Sequence, residues 1–140
     1  MTLDSSAPNV SGEKPRALVA EDDPALADIL RLAFARAGFD VAIARNGVEA
    51  LRAASATAFD VVCSDFQMPM LNGEQFLTAL REEGPSQNAV CMICSAKSYE
   101  LDCERMKQQL NLHAIFYKPF SLTEIAAAAQ QGLLERTPTA

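Results

Sequence analysis

Residues Phe59 to Gly73 read FDVVCSDFQMPMLNG and carry the clearest signal of how this chain folds. This stretch begins with an apolar run that is typical of a strand buried on both faces. The run ends at one carboxylate, Asp65, and a polar turn that contains Pro69 follows directly. A lone acid in such a place is usually a solvated turn residue, so its meaning depends on the groups that the fold brings beside it.

Apolar runs alternate with helical patterns on both sides of this stretch, from Arg16 to Glu135. After each run, apolar residues recur at three- and four-residue spacing, which indicates an amphipathic helix. Continuously apolar strands, each followed by a helix, predict one α/β domain with a doubly wound parallel sheet of five strands, (βα)5, covered by helices on both faces. The predicted strands are 17–20 (ALVA), 41–44 (VAIA), 60–64 (DVVCS), 89–94 (AVCMIC) and 114–117 (AIFY).

Capping residues predict several helix boundaries. Asp23-Pro24 begins the first helix and Gly38 ends it, while Asn46 caps the second. Ser121 and Glu124 are spaced as a capping box for the last helix. The predicted inward faces are Leu26, Ile29, Leu30, Ala33, Phe34 and Ala37 on the first helix, Val48, Leu51 and Ala54 on the second, and Tyr99, Cys103, Met106 and Leu110 on the fourth.

Composition limits the function classes. The 140 residues are 49% hydrophobic and 21% charged, which suits one globular domain, and the net charge of −6 argues against direct binding of nucleic acid. No apolar run reaches the roughly 20 residues of a membrane span, and the polar start lacks a signal-peptide core. We expect a cytoplasmic protein with a disordered leader (1–15), a domain (16–135) and a flexible tail (136–140).

The four cysteines do not predict a redox or metal site. Cys91 and Cys94 form a C-x-x-C motif, but they lie inside an apolar strand-like run. A redox pair of this type needs a helix N-terminus to lower the thiol pKa. Residues three apart in a strand point to opposite faces, so the two thiols cannot share a metal ion. We predict buried, apolar cysteines.

Polar residues gather where the predicted strands end. Right-handed crossovers place the carboxyl ends of all strands at one edge of the sheet, which is where ligands bind in such folds. The residues that follow the strands are Glu21, Asp22 and Asp23 after the first, Asp65 after the third, Ser95 after the fourth and Lys118 after the fifth.

These groups predict phosphoryl-transfer chemistry. Carboxylates a few ångströms apart repel one another, and a divalent cation resolves the conflict. Oxygen ligands of this kind suit Mg²⁺, with Mn²⁺ as a second possibility. Lys118 supplies a positive charge and Ser95 a hydroxyl donor for an anion. A metal next to such donors is what phosphoryl transfer requires, with a carboxylate as the nucleophile that forms an acyl phosphate.

The segments VAEDDP, SDFQMPMLNG, CSA and FYKPF occur in the order and at the intervals found in the receiver domains of two-component response regulators. The chain resembles this family from Ala17 to Glu135. The resemblance implies a flavodoxin-like fold with strand order 2-1-3-4-5. It also implies that Asp65 is the phosphoacceptor.

The same resemblance implies a role for each remaining site residue. Asp22 would bind Mg²⁺ directly, Glu21 would act through water, and the carbonyl of Gln67 would complete the protein ligands. Ser95 and Lys118 would hold the phosphoryl oxygens. Asp23 is expected at the helix N-terminus and not on the metal.

The resemblance also implies a regulatory protein and not a turnover enzyme. A sensor histidine kinase or a histidine phosphotransfer protein would donate the phosphoryl group, and a downstream protein that the sequence does not name would read it. One alternative is an aspartyl-phosphate phosphatase of the haloacid-dehalogenase type, but Gln67 occupies the position of that family's acid/base aspartate. Another alternative is an adaptor that works without phosphorylation.

Two features depart from the family or flank the site. The aromatic residue usually found three positions before the lysine is replaced by Ile115, so we expect a small or differently placed change on activation. Gln67 and Lys97 flank the site and are predicted to affect the lifetime of the acyl phosphate.

Overall fold

The computed structural model describes residues 13–96 and 102–136. The interpretations of Lys97 and Tyr99, of the predicted leader as far as residue 12 and of the predicted tail from residue 137 lie outside the described residues. Within the two described ranges, five strands alternate with five helices. They are β1 (Arg16–Ala20), α1 (Pro24–Arg36), β2 (Asp40–Ala44), α2 (Gly47–Ala56), β3 (Val61–Asp65), α3 (Gly73–Glu82), β4 (Val90–Ala96), α4 (Cys103–Leu110), β5 (Leu112–Lys118) and α5 (Leu122–Glu135).

The strands form one parallel sheet in the order β2-β1-β3-β4-β5, which confirms the predicted fold. The order reverses between β1 and β3, and this reversal opens a crevice at the carboxyl ends of the two strands. All five predicted strands are present, with shifts of one or two residues at their ends. The main shift places Asp65 inside β3, as its last residue, where the sheet holds it.

Two apolar layers cover the sheet, one under α2, α3 and α4 and the other under α1 and α5. The central strand β3 is buried along its whole length, as its unbroken apolar run predicts. Cys91 belongs to the first layer and Cys94 to the second, so their opposite orientation is confirmed. Both thiols are free and buried.

The predicted caps are present. Asp23 accepts a hydrogen bond from the Ala25 N–H at 3.0 Å, and Asn46 accepts one from the Glu49 N–H at 2.8 Å. Gly38 follows the end of α1 with φ of +99°, a conformation that glycine adopts without strain. One half of the last predicted capping box is formed by Ser121 Oγ and the N–H of Glu124, at 3.2 Å.

Two predictions of core positions are wrong. Val48 is 37% exposed, because the inner face of α2 consists of Gly47, Ala50 and Ala54. Ile29 is 45% exposed, because α1 turns Ala27, Leu30 and Phe34 toward the sheet. In the part of the chain that the structure describes, none of the helices is long and apolar enough to cross a bilayer.

Candidate phosphoacceptor site

A cleft of about 440 Å³ lies at the carboxyl edge of the sheet, at the crevice beside β1 and β3. It brings together five of the six predicted site residues: Glu21, Asp22, Asp65, Gln67 and Lys118. Met68, Pro69 and Ala96 also line it, as does Asp23. Met68 and Ala96 were not predicted as site residues, although each is the direct neighbour in sequence of a predicted one, Gln67 and Ser95.

Three acids form the centre of the cleft. One carboxylate oxygen each from Glu21, Asp22 and Asp65 lies within 4.8 Å of the other two. Glu21 is 2% exposed and Asp65 is 7% exposed, whereas Asp22 is open to solvent. Asp23 does not belong to this group and caps α1, as predicted, while its N–H donates to Glu21 Oε2 at 3.1 Å.

Lys118 joins two of the three acids. Its Nζ lies 3.4 Å from Glu21 Oε1 and 3.4 Å from Asp65 Oδ1. The three side chains come from the ends of β1, β3 and β5, so the contact depends on the strand order. One ammonium group therefore faces two buried carboxylates and a third, exposed one nearby.

The pKa values of the two buried acids indicate that their negative charges are only partly compensated. Burial raises the pKa of Glu21 to about 7, and the charge of Asp65 adds to the effect. Burial also raises the pKa of Asp65, against the opposing influence of Lys118. Burial alone would lower the pKa of Lys118, but Asp65 and Glu21 outweigh it and raise that pKa. Several pKa values shifted by burial and by charged neighbours within one cleft are typical of functional sites.

Ser95 lies next to the cleft without lining it. It is the second-last residue of β4, is 1% exposed, and donates from Oγ to the Ala96 carbonyl at 3.3 Å. Its neighbour Ala96 lines the cleft and pairs in register with Lys118. A rotation of the serine side chain or a shift of the end of β4 would be needed for its hydroxyl to face the acids.

The loop after Asp65 is tied down at both ends. The Phe66 N–H donates to the Cys94 carbonyl at 2.8 Å, and the Gly73 N–H donates to the Phe66 carbonyl at 2.6 Å. A Cβ atom on Gly73 would lie 2.5 Å from the Asp65 carbonyl oxygen, so only glycine fits there. Glycine at position 73 therefore has a steric basis in the path of this turn.

The donor set fits a hard divalent cation. Carboxylate oxygens of Glu21, Asp22 and Asp65 converge, and Gln67 at the cleft wall has a backbone carbonyl to add. The raised pKa values of the two buried acids indicate that Lys118 does not compensate them fully. A cation such as Mg²⁺ or Mn²⁺ would supply the missing positive charge.

Comparison with known proteins agrees with this geometry. A family model described as the response regulator receiver domain matches residues 17–130. The transcriptional activator protein PfeR of Pseudomonas aeruginosa is 37% identical over 138 residues, which cover 94% of this chain and 43% of that protein. The transcriptional regulatory protein PrrA of Mycobacterium tuberculosis is 32% identical, with coverage of 90% and 53%. The chain thus spans about half the length of these curated relatives.

Solved structures show the same fold. The receiver domain of Francisella response regulator 1452 matches with a TM-score of 0.77 and 28% identity, over 88% of this chain and 99% of that one. The receiver domain of a sensor histidine kinase from Pseudomonas aeruginosa, solved with magnesium in its active-site cleft, matches with a TM-score of 0.77 and 20% identity, over 87% and 99%. From its matched residues, its fold and the acids at its carboxyl edge, the chain belongs to the response regulator receiver domain family.

Proposed function

We propose that this chain is the phosphoacceptor of a two-component phosphorelay, with Asp65 as the residue that takes the phosphoryl group. The observation that supports this most strongly is the placement of Lys118, whose ammonium lies 3.4 Å from both Glu21 and Asp65. The exposed acid Asp22 lies close by. The cleft therefore combines the ammonium of Lys118, which can bind an anion, with carboxylates that can bind a metal ion.

The chemistry follows from these positions. An Asp65 oxygen attacks the phosphorus of a partner phosphohistidine in line with its P–N bond, which breaks as the acyl phosphate forms. The histidine nitrogen leaves with the electron pair of that bond. Lys118 favours the ionised, nucleophilic form of Asp65 and then neutralises a phosphoryl oxygen. Ser95 donates its hydroxyl to another phosphoryl oxygen after its side chain rotates away from the Ala96 carbonyl.

Glu21, Asp22, Asp65 and the Gln67 carbonyl would hold Mg²⁺ or Mn²⁺. The bound ion would neutralise charge on the transferring phosphoryl group. Because β3 is buried throughout, it holds the Asp65 backbone rigidly while the partner approaches.

The role that we propose is regulatory. A sensor histidine kinase or a histidine phosphotransfer protein supplies the phosphoryl group, and the phosphorylated surface changes its contacts with a downstream protein. Gln67 lies at the cleft, where a phosphatase of the haloacid-dehalogenase type would need an acid/base group, so turnover should be slow. The relatives are named as regulators of transcription and extend well beyond the matched region, so the absence of direct DNA contact stays a prediction.

Intact-mass measurement after incubation with acetyl phosphate and Mg²⁺ tests the proposal. We expect one phosphoryl group per chain, lost in Asp65→Asn and kept in the matched control Asp23→Asn, whose acid caps α1 outside the metal-ligand group. Rapid turnover of small phosphate esters would instead indicate a phosphatase. No adduct at all would favour the adaptor.

A further inference from the structure

The loop between β3 and α3 contains a strained three-residue turn. Met70 has φ of +75°, and the Leu71 N–H donates to the Pro69 carbonyl at 3.0 Å across it. A hydrogen bond of this span with a positive φ at its centre is a γ-turn, which is rare for residues other than glycine. The Met70 side chain is 74% exposed, so its own packing does not hold the turn. Such strain persists only where the surroundings enforce it.

The N-terminus of α2 is the element that touches this turn from outside. The Gly47 N–H donates to the same Pro69 carbonyl, at 3.3 Å. A Cβ atom on Gly47 would lie 2.3 Å from the Leu71 carbonyl oxygen and 2.4 Å from Leu71 Cβ. Helix and loop therefore meet backbone to backbone, with no flexible side chain between them to absorb a displacement.

The contact surface on α2 is itself held firmly. Asn46 accepts a hydrogen bond from the Glu49 N–H at 2.8 Å, and Glu49 accepts one from the Arg45 N–H at 3.0 Å. These two bonds fix the first turn of α2. Ala50 and Ala54 then bury the helix against the first apolar layer.

We propose that Gly47 is a positioning residue for the phosphoacceptor site. Among the described residues that line the cleft, none belongs to α2. Gly47 nevertheless holds the turn at Met70, and that turn sets where Gln67 and Pro69 stand at the cleft wall. The loop is held at its two ends through Phe66 and Gly73, and between them by the buried side chain of Met68 and by the contact with Gly47. The inference rests on the proposed function in assigning Gln67 to the metal.

Two glycine substitutions separate positioning from stability. In Gly47→Ala the new Cβ meets backbone of the loop, whereas in Gly132→Ala it lies 2.6 Å from Val90 Cγ1, at the opposite end of the sheet. Both should lower the urea midpoint. Only Gly47→Ala should weaken Mg²⁺ binding, by about tenfold or more in an NMR titration. Only this variant should also be phosphorylated more slowly by acetyl phosphate at saturating Mg²⁺. Equal Mg²⁺ affinities in the two variants would overturn the proposal.

A second substitution tests whether Gly47 affects the metal site through the turn at Met70. Glycine adopts a positive φ without strain, so Met70→Gly lets the turn readjust. Added to Gly47→Ala, it should recover part of the lost Mg²⁺ affinity. A double variant that binds Mg²⁺ no better than Gly47→Ala would exclude this turn as the link.

The unmodified chain provides a test that does not depend on whether the variants fold. Saturation with Mg²⁺ should shift the amide resonances of Gly47 and Leu71 and slow their hydrogen exchange. If Mg²⁺ changes neither the resonances nor the hydrogen exchange of these two amides, the proposed link between Gly47 and the metal site is contradicted. If the chain binds Mg²⁺ but forms no acyl phosphate, the proposed function fails, whereas these Mg²⁺ measurements still decide the role of Gly47.

Discussion

Lys118 donates a hydrogen bond to Glu21 at 3.4 Å, across 97 residues of chain. Glu21 is 2% exposed and lies at the end of β1, while Lys118 is the last residue of β5. The contact shows how parallel strands bring distant residues to one edge of the sheet. It also places a single ammonium group among more carboxylates than it can neutralise.

Removing this ammonium should raise the pKa of both buried acids further. In Lys118→Met, Glu21 should titrate above its present value of about 7, because the favourable charge is lost while the burial remains. NMR titration of the metal-free protein measures this. Lys107→Met, on the exposed face of α4, is the control and should leave Glu21 unchanged. A Glu21 pKa that stays the same in Lys118→Met would contradict the assignment.

Stability of the metal-free protein should fall as the pH rises. The pKa of Glu21 is raised from 4.5 to about 7, so between these values the folded protein binds more protons than the unfolded chain. The free energy of unfolding therefore decreases across this window, and the raised pKa of Asp65 acts in the same direction. The lowered pKa of Glu74 acts below the window.

Urea unfolding between pH 5 and pH 8 measures this slope. Glu21→Gln should flatten it, and Mg²⁺ should stabilise the protein more at the higher pH, where protons no longer compete for Glu21. A midpoint that rises across the window in the absence of metal would be inconsistent with a buried, poorly compensated glutamate.

The response to a phosphate mimic should be small in β5. Ile115 is half-buried against the first apolar layer, and the χ1 angle of a β-branched aliphatic side chain is restricted. It therefore cannot swing inward as the aromatic residue usually found at this position in receiver domains does. Amide NMR shifts on adding beryllofluoride and Mg²⁺ check this. Large shifts throughout residues 114–120 and in α4 would show that β5 moves after all.

Only Cys103 should react quickly with a thiol reagent in the folded protein. Burial raises the pKa of Cys91 to about 11, and the nearby Cys63 thiol, with burial, raises that of Cys94 well above its usual range. Cys103 is half-buried, whereas Cys63, Cys91 and Cys94 are buried. Counting thiols with a chromogenic disulfide should give one fast thiol in the native state, lost in Cys103→Ser. Fast reaction of a second thiol would count against a rigid core.

Arg81 should be important for stability and not for metal binding. Its guanidinium donates to four carbonyl oxygens, at Leu110, Gln87, Ala89 and Asn111, at 2.7–3.1 Å. It therefore joins α3 to the start of β4 and to the turn between α4 and β5. Arg81→Met should reduce the free energy of unfolding by about 2 kcal/mol, because four carbonyl acceptors, two of them in partly buried hydrogen bonds, lose a charged donor.

Urea unfolding of Arg81→Met tests this, with the exposed Arg52→Met on α2 as the matched control. Mg²⁺ affinity should be unchanged in both variants, since the guanidinium lies at the amino end of β4, away from the cleft. If both substitutions cost the same stability, the four contacts contribute no more than a surface charge does.

Local pattern was sufficient for much of the fold. Unbroken apolar runs predicted all five strands, and side chains such as Asp23 and Asn46 predicted helix starts, because both signals depend on neighbours within a few residues. The errors have a common cause. Val48 and Ile29 match the helical period but lie on its outer margin, and periodicity alone does not say which side of a wide apolar stripe meets the sheet.

Which residues reach the carboxyl edge could be predicted from the chain alone, because strand length is a local property and right-handed crossovers are a general rule. The distances there became known from the folded molecule: Lys118 between Glu21 and Asp65, Ser95 beside the cleft instead of in it, and Gly47 against Leu71. These contacts join elements far apart in the chain. Their geometry follows from how the helices pack on the twisted sheet, which no single segment encodes.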